Sequence, residues 1–244
     1  MKDKINICAV IPARSGSKSI KNKNVIKLCG HPILAYSIDI AVKSKIFDKV
    51  VFSSDAKKYL NIAKKYNPDY LHKRSKKNSS SLATDLDYLK EILYYLENEH
   101  SYKPDLIALL RADNPTRNLK ELESAIKFFK KNHKKYSSLR SVNLTSENSY
   151  KTFTISNHKL RTLISNSFNI EKSNIPKQLL KNTYAANGFL DIIKTNHIKK
   201  NYLHGKKVYA LKVKNFSLDI DNQEDLRYSK FLINQKKYHK IKIK

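Results

Sequence analysis

The sequence of 244 residues contains only two cysteines, four glycines and no long apolar run. Cys8 and Cys29 exclude a disulfide framework and have no metal-ligand spacing, so a reducing, cytoplasmic compartment is expected. No apolar run approaches the roughly 18–20 residues of a membrane span, so no membrane partner is predicted. The apolar N-terminal stretch leads directly into a polar, basic segment, which favours a first core strand over a signal peptide. The length fits a single domain over residues 1–244.

Acidic residues are also scarce, because 21 Asp and Glu stand against 49 Lys and Arg, for a formal net charge of +28. Such an excess can release counterions from a nucleic-acid backbone. However, the lysines are spread along the whole chain, and the sequence has no zinc knuckle, helix-turn-helix signature or RNP-type aromatic strand. We therefore predict no nucleic-acid partner and a charge that favours small anionic substrates. A basic nucleic-acid-binding module is the rival hypothesis, and it predicts tight duplex binding at physiological salt.

One of the four glycines, Gly16, lies in a basic loop at residues 14–24, after a predicted strand at residues 5–11. Backbone N–H groups, hydroxyls and cations in such a loop can converge on anionic oxygens. The alternative is an ordinary basic surface loop, a serious rival in so lysine-rich a chain. The order Gly-Ser-Lys-Ser is superficially like the end of a Walker A motif, but Ile11 stands where that motif requires its first glycine. The pattern predicts a nucleotide-phosphate loop of another type.

Strand and helix patterns alternate through the first 144 residues, which predicts an α/β fold with a doubly wound, mostly parallel sheet. Ligands in such sheets bind beyond the carboxyl ends of the strands, where polar segments follow Ile11, Ser53 and Leu110. The alternation of strand and helix patterns is interrupted at about residues 145–180, which predicts a small inserted dimerisation or lid segment that begins with a hairpin. Strands are predicted at residues 49–53, 70–71, 105–110, 138–144, 207–213 and 216–221. Helices are predicted at residues 33–43, 56–66, 82–96, 119–129 and from 222 onward.

An acidic pair, Asp219 and Asp221, lies in the last predicted strand. Residues i and i+2 of a strand share a face, so the two carboxylates would repel each other unless a cation lay between them. Mg²⁺ suits such a site, because it binds one or two carboxylates together with substrate phosphate oxygens. The alternative is an exposed edge strand with two solvated acids.

In order along the chain, these motifs resemble the acylneuraminate cytidylyltransferases, which are the CMP-sialic acid synthetases. The family's opening I-P-A-R-x-G-S-K-G-x-x-x-K-N is matched at residues 11–18 and at Lys23 and Asn24. Its V-S-T-D, P-T-S-P-L-R, N-G and D-x-D motifs are matched at residues 52–55, 112–117, 187–188 and 219–221. The resemblance spans nearly the whole chain. The related Kdo cytidylyltransferases carry R-L-P-G-K where this chain has I-K-N-K-N at residues 20–24, so the chain fits the sialic-acid branch better.

The resemblance implies a nucleotide-diphospho-sugar transferase-like, Rossmann-like fold that acts as a homodimer. It also implies transfer of cytidylyl from CTP to a nonulosonic 2-keto sugar acid with release of pyrophosphate, and Mg²⁺ at Asp219 and Asp221. The implied catalytic residues are Arg14, Lys18, Lys23 and Asp221. The implied nucleotide-binding residues are Ala13, Arg14, Ser17, Lys18, Lys23, Asn24, Arg74 and Ala83. The implied acceptor-binding residues are Arg111, Lys151, Lys177, Gln178 and Asn187.

Several positions depart from the family pattern, and most of them lie on the acceptor side. Ser19 replaces a glycine, Arg111 a glutamine and Asp113 a threonine. Asp191 stands in place of a tyrosine, and Ala185 at a position often held by arginine. The nucleotide chemistry is therefore predicted more firmly than the sugar. The alternative is a nucleotidyltransferase of the same fold that acts on a Kdo-like acid or a sugar phosphate.

Overall fold

The computed structural model describes residues 5–17 and 19–241, so the predicted nucleotide-binding residue Lys18 lies outside the described residues. The strands are β1 Ile7–Pro12, β2 Lys27–Leu28, β3 His31–Pro32, β4 Lys49–Ser54, β5 Tyr70–Lys73, β6 Leu106–Leu109, β7 Ser138–Leu144, β8 Phe153–Ser156, β9 Lys159–Thr162, β10 Tyr184–Lys194 and β11 Val208–Lys212. The helices are α1 Ile33–Ser44, α2 Lys57–Lys64, α3 Asp85–Glu99, α4 Leu119–Asn132, α5 Thr195–Lys199 and α6 Gln223–Ile233. None of these helices is both long and apolar enough to cross a membrane.

Seven strands form the central sheet in the order β11-β7-β10-β6-β1-β4-β5. Neighbouring strands pair in parallel, except that β10 runs antiparallel to both β6 and β7. Side chains of β1 alternate between two apolar cores, because successive strand residues point to opposite faces. Helices α1, α2 and α4 pack in the core that contains Ile7 and Ala9, whereas α3 and α5 pack in the core that contains Cys8 and Val10. The doubly wound, mostly parallel sheet is thereby confirmed.

The helix predicted from residue 82 begins instead at Asp85. Thr84 caps it: its hydroxyl accepts from the backbone N–H of Asp87, and the Asp87 carboxylate accepts from the backbone N–H of Thr84. Such a capping box fixes the first turn of a helix. Leu82, which the apolar periodicity includes, is 89% exposed. The apolar periodicity placed the start of the helix too early, because Leu82 has the spacing of a helix residue although it lies before the helix.

The strand predicted at residues 216–221 is not present, so the argument that placed Asp219 and Asp221 on one strand face was wrong. The segment belongs to none of the sheets among the described residues. It is held by local contacts: the N–H of Leu218 donates to Thr116 Oγ1 at 3.0 Å, and that of Ile220 to the carbonyl of Asp113 at 3.0 Å. The two carboxylates nevertheless border the same cavity, as described below.

The predicted hairpin is confirmed between β7 and β10, in a segment that we call the insertion (residues 145–183). Strands β8 and β9 pair antiparallel from Phe153 opposite Thr162 to Ser156 opposite Lys159, and they form a sheet of their own. The segment leaves the central sheet after β7 and returns through β10, where Tyr184 pairs with Leu144.

Candidate functional site

Two adjoining cavities lie beyond the carboxyl ends of β1, β5 and β6, at the edge where a doubly wound sheet binds its ligands. The first cavity has a volume of about 460 Å³ and the second about 250 Å³. They share Arg111, Asp113 and Asp221. The first cavity is lined by Pro12, Arg14, Ser17, Ser19, Lys23, Asn24, Arg74, Asn78, Ser80, Ser81, Ala83, Asp85, Tyr88, Arg111, Asp113 and Asp221. The second is lined by Arg111, Asp113, Arg140, Ala186, Gly188, Asp191, Asp219 and Asp221.

The basic loop after β1 is held in place by Asp55, which directly follows β4. Ser15 donates from its backbone N–H to Oδ1 of Asp55 at 2.8 Å and from its hydroxyl to Oδ2 at 2.6 Å. Burial would raise the pKa of Asp55, but the hydrogen bonds from Ser15 outweigh it and lower the pKa below its ordinary value. An ionised carboxylate therefore fixes the start of the loop against the sheet.

Lys23 stands between two carboxylates at the boundary of the cavities. Its Nζ lies 2.7 Å from Asp113 Oδ2 and 3.0 Å from Asp221 Oδ1. Burial would lower the pKa of Lys23, but the two carboxylates outweigh it, Asp113 most strongly, and raise the pKa. The lysine stays charged, and it joins the loop after β1 to a segment 198 residues further along the chain.

Asn24, which lines the first cavity, has a side-chain acceptor without a partner among the described residues. Its Nδ2 donates to the carbonyl of Arg14 at 3.4 Å, while its buried Oδ1 has no hydrogen-bond partner among the described residues. A buried acceptor without a partner is costly, so a ligand donor at this place would be stabilising. Arg14 itself donates from Nη1 to the carbonyl of Ser80 at 3.0 Å. Both residues line the first cavity, so the guanidinium charge is held at its wall.

Four polar side chains that line the first cavity contact one another in a chain, and the last of them also lines the second cavity. The guanidinium of Arg74, only 5% exposed, lies 4.3 Å from the ring centroid of Tyr88. The Tyr88 hydroxyl donates to Asp85 Oδ1 at 2.7 Å, and both Asp85 oxygens accept from Arg111. Burial would lower the pKa of Arg111, but Tyr88 and Asp85 outweigh it and raise the pKa. Arg111 is therefore paired inside the protein, and it borders both cavities as one half of an ion pair.

The second cavity contains a carboxylate, Asp219, that has close backbone neighbours. Its Oδ1 accepts from Asn114 Nδ2 at 3.0 Å. A Cβ added at Gly188 would overlap this carboxylate, and Gly188 also has a φ of +64°. Only glycine combines that conformation with such a close approach. Burial raises the pKa of Asp219 to about 7, and the carboxylate of Asp113 adds to the rise.

Arg117 is hydrogen-bonded to segments that border the cavities. It is 1% exposed. It donates to the Ser37 hydroxyl at 2.7 Å and to the carbonyls of Phe189 and Gly188 at 2.8 Å each. The carbonyls of Arg111 and Asn114 also accept from it. Burial lowers the pKa of Arg117 to about 10. One guanidinium thus holds the turn after β6 against β10, at the place where the pairing of β10 with β7 shifts register.

Asp191, a buried carboxylate in β10, also lines the second cavity. Burial raises its pKa to about 6, although Arg140 and Arg111 act in the opposite direction. An unfolded aspartate titrates near pH 4. Between about pH 4 and pH 6, therefore, the folded protein binds a proton that the unfolded chain releases.

We expect Asp191→Asn to stabilise the protein above about pH 6 and to leave its stability unchanged near pH 4. Below pH 4 the carboxyl is protonated in both states and contributes nothing. Above pH 6 the ionised, buried carboxylate lowers the free energy of unfolding by on the order of 3 kcal/mol, which the amide avoids. Thermal unfolding of both proteins at pH 4 and pH 8 measures this, and an equal change at both pH values would contradict it.

The two cavities bring together most, but not all, of the residues that the sequence predicts. The first cavity is lined by Arg14, Ser17, Lys23, Asn24, Arg74, Ala83, Arg111 and Asp221, and the second by Arg111, Asp219 and Asp221. The other predicted residues among the described ones line neither cavity: Ala13, Lys151, Lys177, Gln178 and Asn187. Ala13 is buried, and Asn187 is buried beside the second cavity, where its carbonyl accepts from Asn114. Lys151, Lys177 and Gln178 are exposed on the insertion.

Sequence reasoning did not single out Asp55, Asp85, Tyr88 and Arg140 as site residues. Asp55 lies in a motif that matches the family, so its place after β4 was a usable signal. The other three lie on a helix face or in a strand, with no local pattern that distinguishes them. Only the packing of α3 and β7 around the cavities shows their place.

A family profile described as cytidylyltransferase matches residues 8–242 of the chain. The N-acylneuraminate cytidylyltransferase of Escherichia coli O18:K1:H7 is 30% identical over 237 residues, which cover 95% of this chain and 52% of that protein. The pseudaminic acid cytidylyltransferase of Campylobacter jejuni serotype O:23/36 is 28% identical over 93% of this chain and 95% of its own length. The chain therefore spans about half the length of the first relative and nearly all of the second.

Among solved structures, a CMP:2-keto-3-deoxy-manno-octonic acid synthetase complexed with CTP aligns with a TM-score of 0.65. The alignment covers 93% of this chain and 98% of that one at 12% identity, so it concerns the fold. A 4-diphosphocytidyl-2C-methyl-D-erythritol synthase aligns with a TM-score of 0.66 at 9% identity. The fold is thus that of the nucleotide-diphospho-sugar transferases. Because the family profile matches nearly the whole length, this chain belongs to the cytidylyltransferase family.

Proposed function

We propose that this chain is a CTP-dependent cytidylyltransferase that converts a nonulosonic, sialic-acid-like sugar acid to its CMP derivative and releases pyrophosphate. The observation that carries the proposal is the pair of adjoining cavities with a shared wall at Arg111, Asp113 and Asp221. The larger cavity borders a basic loop and suits a nucleoside triphosphate. The smaller one is placed for an acceptor whose hydroxyl attacks the α-phosphorus. The relatives named for sialic and pseudaminic acid support this acceptor class.

In this mechanism the residues of the first cavity bind and orient the triphosphate. Arg14, Lys23 and the hydroxyl of Ser17 neutralise and position its oxygens, as phosphoryl-type transfers require. Asn24, with its unpaired Oδ1, accepts a hydrogen bond from a ribose hydroxyl. Arg74, fixed over Tyr88, faces the base together with the backbone at Ala83. Lys18, in the same loop, is proposed as a further phosphate-binding residue.

The acceptor lies in the second cavity in this proposal. Its anomeric hydroxyl approaches the α-phosphorus past Arg111 and Asp113, in line with the departing pyrophosphate. Neither cavity is lined by Lys151, Lys177 or Gln178, so these residues would contribute to acceptor binding only through the insertion, on which they lie.

We infer that a divalent cation, Mg²⁺, is held by Asp219 and Asp221. The residues fit such an ion, because Asp219 is a buried carboxylate with a raised pKa and Asp221 borders the same cavity. Within residues 5–17 and 19–241, no group of three or more His, Cys, Asp or Glu forms a complete metal centre. Mg²⁺ accepts such a site, since it takes one or two carboxylates and completes its shell with water and phosphate oxygens. When bound, it would neutralise charge on the reacting phosphates.

A homodimer held by the insertion is also proposed. Seven of the sixteen large apolar side chains that are exposed among the described residues lie on the insertion, and Leu144 and Tyr184 flank it. Leu179 is 73% exposed and Ile155 is 77% exposed. Exposed apolar surface on this scale marks interaction sites. Leu179→Lys is expected to shift the protein from dimer to monomer in sedimentation equilibrium, and an unchanged mass would contradict this interface.

The activity is tested by measuring pyrophosphate release with CTP, UTP and GTP against nonulosonic acids, a Kdo-like acid and sugar phosphates. We expect release with CTP and a nonulosonic acid. Release only with a Kdo-like acid or a sugar phosphate would support the alternative acceptor class instead. Absence of release with every pair, together with salt-sensitive duplex binding, would favour a nucleic-acid-binding module.

A separate prediction concerns the anchor of the basic loop. Asp55→Ala removes both hydrogen-bond acceptors of Ser15, so the loop loses its attachment to β4. We expect the KM for CTP to rise about tenfold, because two hydrogen bonds to a charged group are lost, while the KM for the acceptor stays constant. Steady-state kinetics with either substrate varied measures the two values. An equal rise in both would contradict a role confined to the nucleotide loop.

A further inference from the structure

The second cavity contains a charged pair, Arg140 and Asp191, that the mechanism above does not use. The two residues lie directly opposite each other in the antiparallel pairing of β7 with β10. Arg140 Nε is 3.7 Å from Asp191 Oδ1, which is too long for a hydrogen bond. Arg140 Nε is buried without an acceptor among the described residues. The pair is therefore close enough for attraction but leaves a donor and an acceptor unused.

The remaining charged groups of this cavity are engaged by other side chains of the described residues. Arg111 is paired with Asp85, and Lys23 is paired with both Asp113 and Asp221. The Oδ1 atom of Asp219 accepts from Asn114. Arg140 and Asp191 thus remain as the pair whose facing atoms have hydrogen-bonding capacity to offer a ligand.

His204 fixes the orientation of the Arg140 guanidinium. The hydroxyl of Ser138 donates to the carbonyl of His204 at 2.9 Å, so the Ser138 oxygen accepts from His204 Nδ1 at 3.2 Å. Nε2 of His204 is then the unprotonated nitrogen, and it accepts from Arg140 Nη1 at 3.3 Å. Burial lowers the pKa of His204, and the charge of Arg140 lowers it further, which is consistent with a neutral ring. The guanidinium is thereby held with Nε towards Asp191.

The spacing of the two facing atoms suits a single oxygen atom that both accepts and donates. An oxygen about 2.8 Å from each would lie at the apex of a triangle whose base is the Nε–Oδ1 distance. It would accept from Nε and donate to Oδ1. A hydroxyl can do both from one atom, whereas the N–H and C=O of a trans secondary amide point in opposite directions. Because the pair is neutral as a whole, it has no net attraction for a carboxylate or a phosphate.

We propose that Arg140 and Asp191 bind one hydroxyl group of the acceptor sugar, other than the reacting anomeric hydroxyl, and so select acceptors that carry it. This inference rests on the proposed function. A site built to hydrogen-bond a substrate hydroxyl discriminates strongly against the analogue that lacks it, because its own polar groups are then left without partners. A bridging water in the same place is the competing arrangement.

The test compares kcat/KM for the parent sugar acid and for a panel of acceptors that each lack one hydroxyl, with CTP saturating. In the wild type we expect one deoxy acceptor to lose about tenfold. Arg140→Met is expected to lose a similar factor on the parent acceptor and nothing further on that deoxy acceptor, with the KM for CTP unchanged. Asp191→Ala serves as the second variant and is expected to show the same coupling if Arg140→Met fails to fold.

Arg227→Met, a matched change at an exposed arginine of α6, is the control and should leave all values unchanged. A loss by Arg140→Met and Asp191→Ala that is equal on every acceptor would overturn the inference, since it would indicate a structural role. An absence of any loss would also overturn it, and this is the result expected if a water, and not the substrate, bridges Arg140 and Asp191. A wild type that releases no pyrophosphate with any sugar acid would instead contradict the proposed function itself.

Discussion

Asp219→Asn is expected to lower kcat by about a thousandfold while leaving the protein folded. The amide keeps the oxygen that accepts from Asn114 and matches the shape of the protonated carboxyl, so the packing against Gly188 is preserved. What is lost is the negative charge that would hold Mg²⁺ beside the reacting phosphates, and preorganised charge at such a place supplies a large share of the rate. Initial rates of pyrophosphate release over a range of Mg²⁺ concentrations measure the effect.

Glu224→Gln provides the matched control, because Glu224 is an exposed carboxylate on the first turn of α6. It should retain the wild-type rate and the wild-type dependence on Mg²⁺. If Asp219→Asn turned over at a near-normal rate and with an unchanged requirement for Mg²⁺, the metal assignment would be removed. A thermal unfolding curve for each variant separates a lost ligand from a lost fold.

Arg117→Met is expected to lower the free energy of unfolding by about 3–5 kcal/mol, because each buried carbonyl that is left without a donor costs about 1–3 kcal/mol. The substitution removes the donors that Arg117 supplies to four backbone carbonyls and to the hydroxyl of Ser37. The carbonyl of Arg111 keeps the hydroxyl of Ser37 as a donor. Methionine fills much of the same space, so the loss is mainly of hydrogen bonds. In a domain of this size the melting temperature should fall by roughly 6–20 °C.

Here the control is Arg227→Met, which makes the same chemical change on the exposed surface of α6. It should shift the melting temperature by less than about 2 °C, because surface substitutions usually change the free energy of unfolding by no more than about 0.5 kcal/mol. Denaturation by urea gives the free energies, and the midpoint should move without a change in slope. A melting temperature for Arg117→Met within 2 °C of the wild type would show that the carbonyls find other donors.

The sheet and most helices were predictable because hydrophobic periodicity carries local information. Buried strands such as β1 and β4 contain continuous apolar runs, and the capped start of α6 is visible from Asn222 onward. The segment at residues 216–221 was not predictable, because its alternating apolar and acidic residues have the period of a strand. Its conformation depends on Thr116 and Asp113, which are about a hundred residues away in the sequence.

For the candidate site, the sequence contained the basic loop and the acidic pair but not the connections between them. A pattern can show that Lys23 and Asp221 are charged, whereas only the tertiary structure shows that they are paired. The same is true of Arg111, which the family resemblance assigned to acceptor binding. Its partner Asp85 begins a helix that the periodicity started three residues too early. Charge pairing across a sheet edge is a property of packing and has no local signature.

The strand β10 gives the molecule a mechanical connection between its insertion and its second cavity. It is one strand from Tyr184, beside the insertion, to Lys194, and its pairing with β7 shifts register between Ala186 and Asp191. Gly188 lies in this interval, directly against Asp219. A rotation of the insertion would therefore be transmitted along β10 to the second cavity, with the strand bending at the register shift. Any restraint on the insertion would in this way set the stiffness of the second cavity.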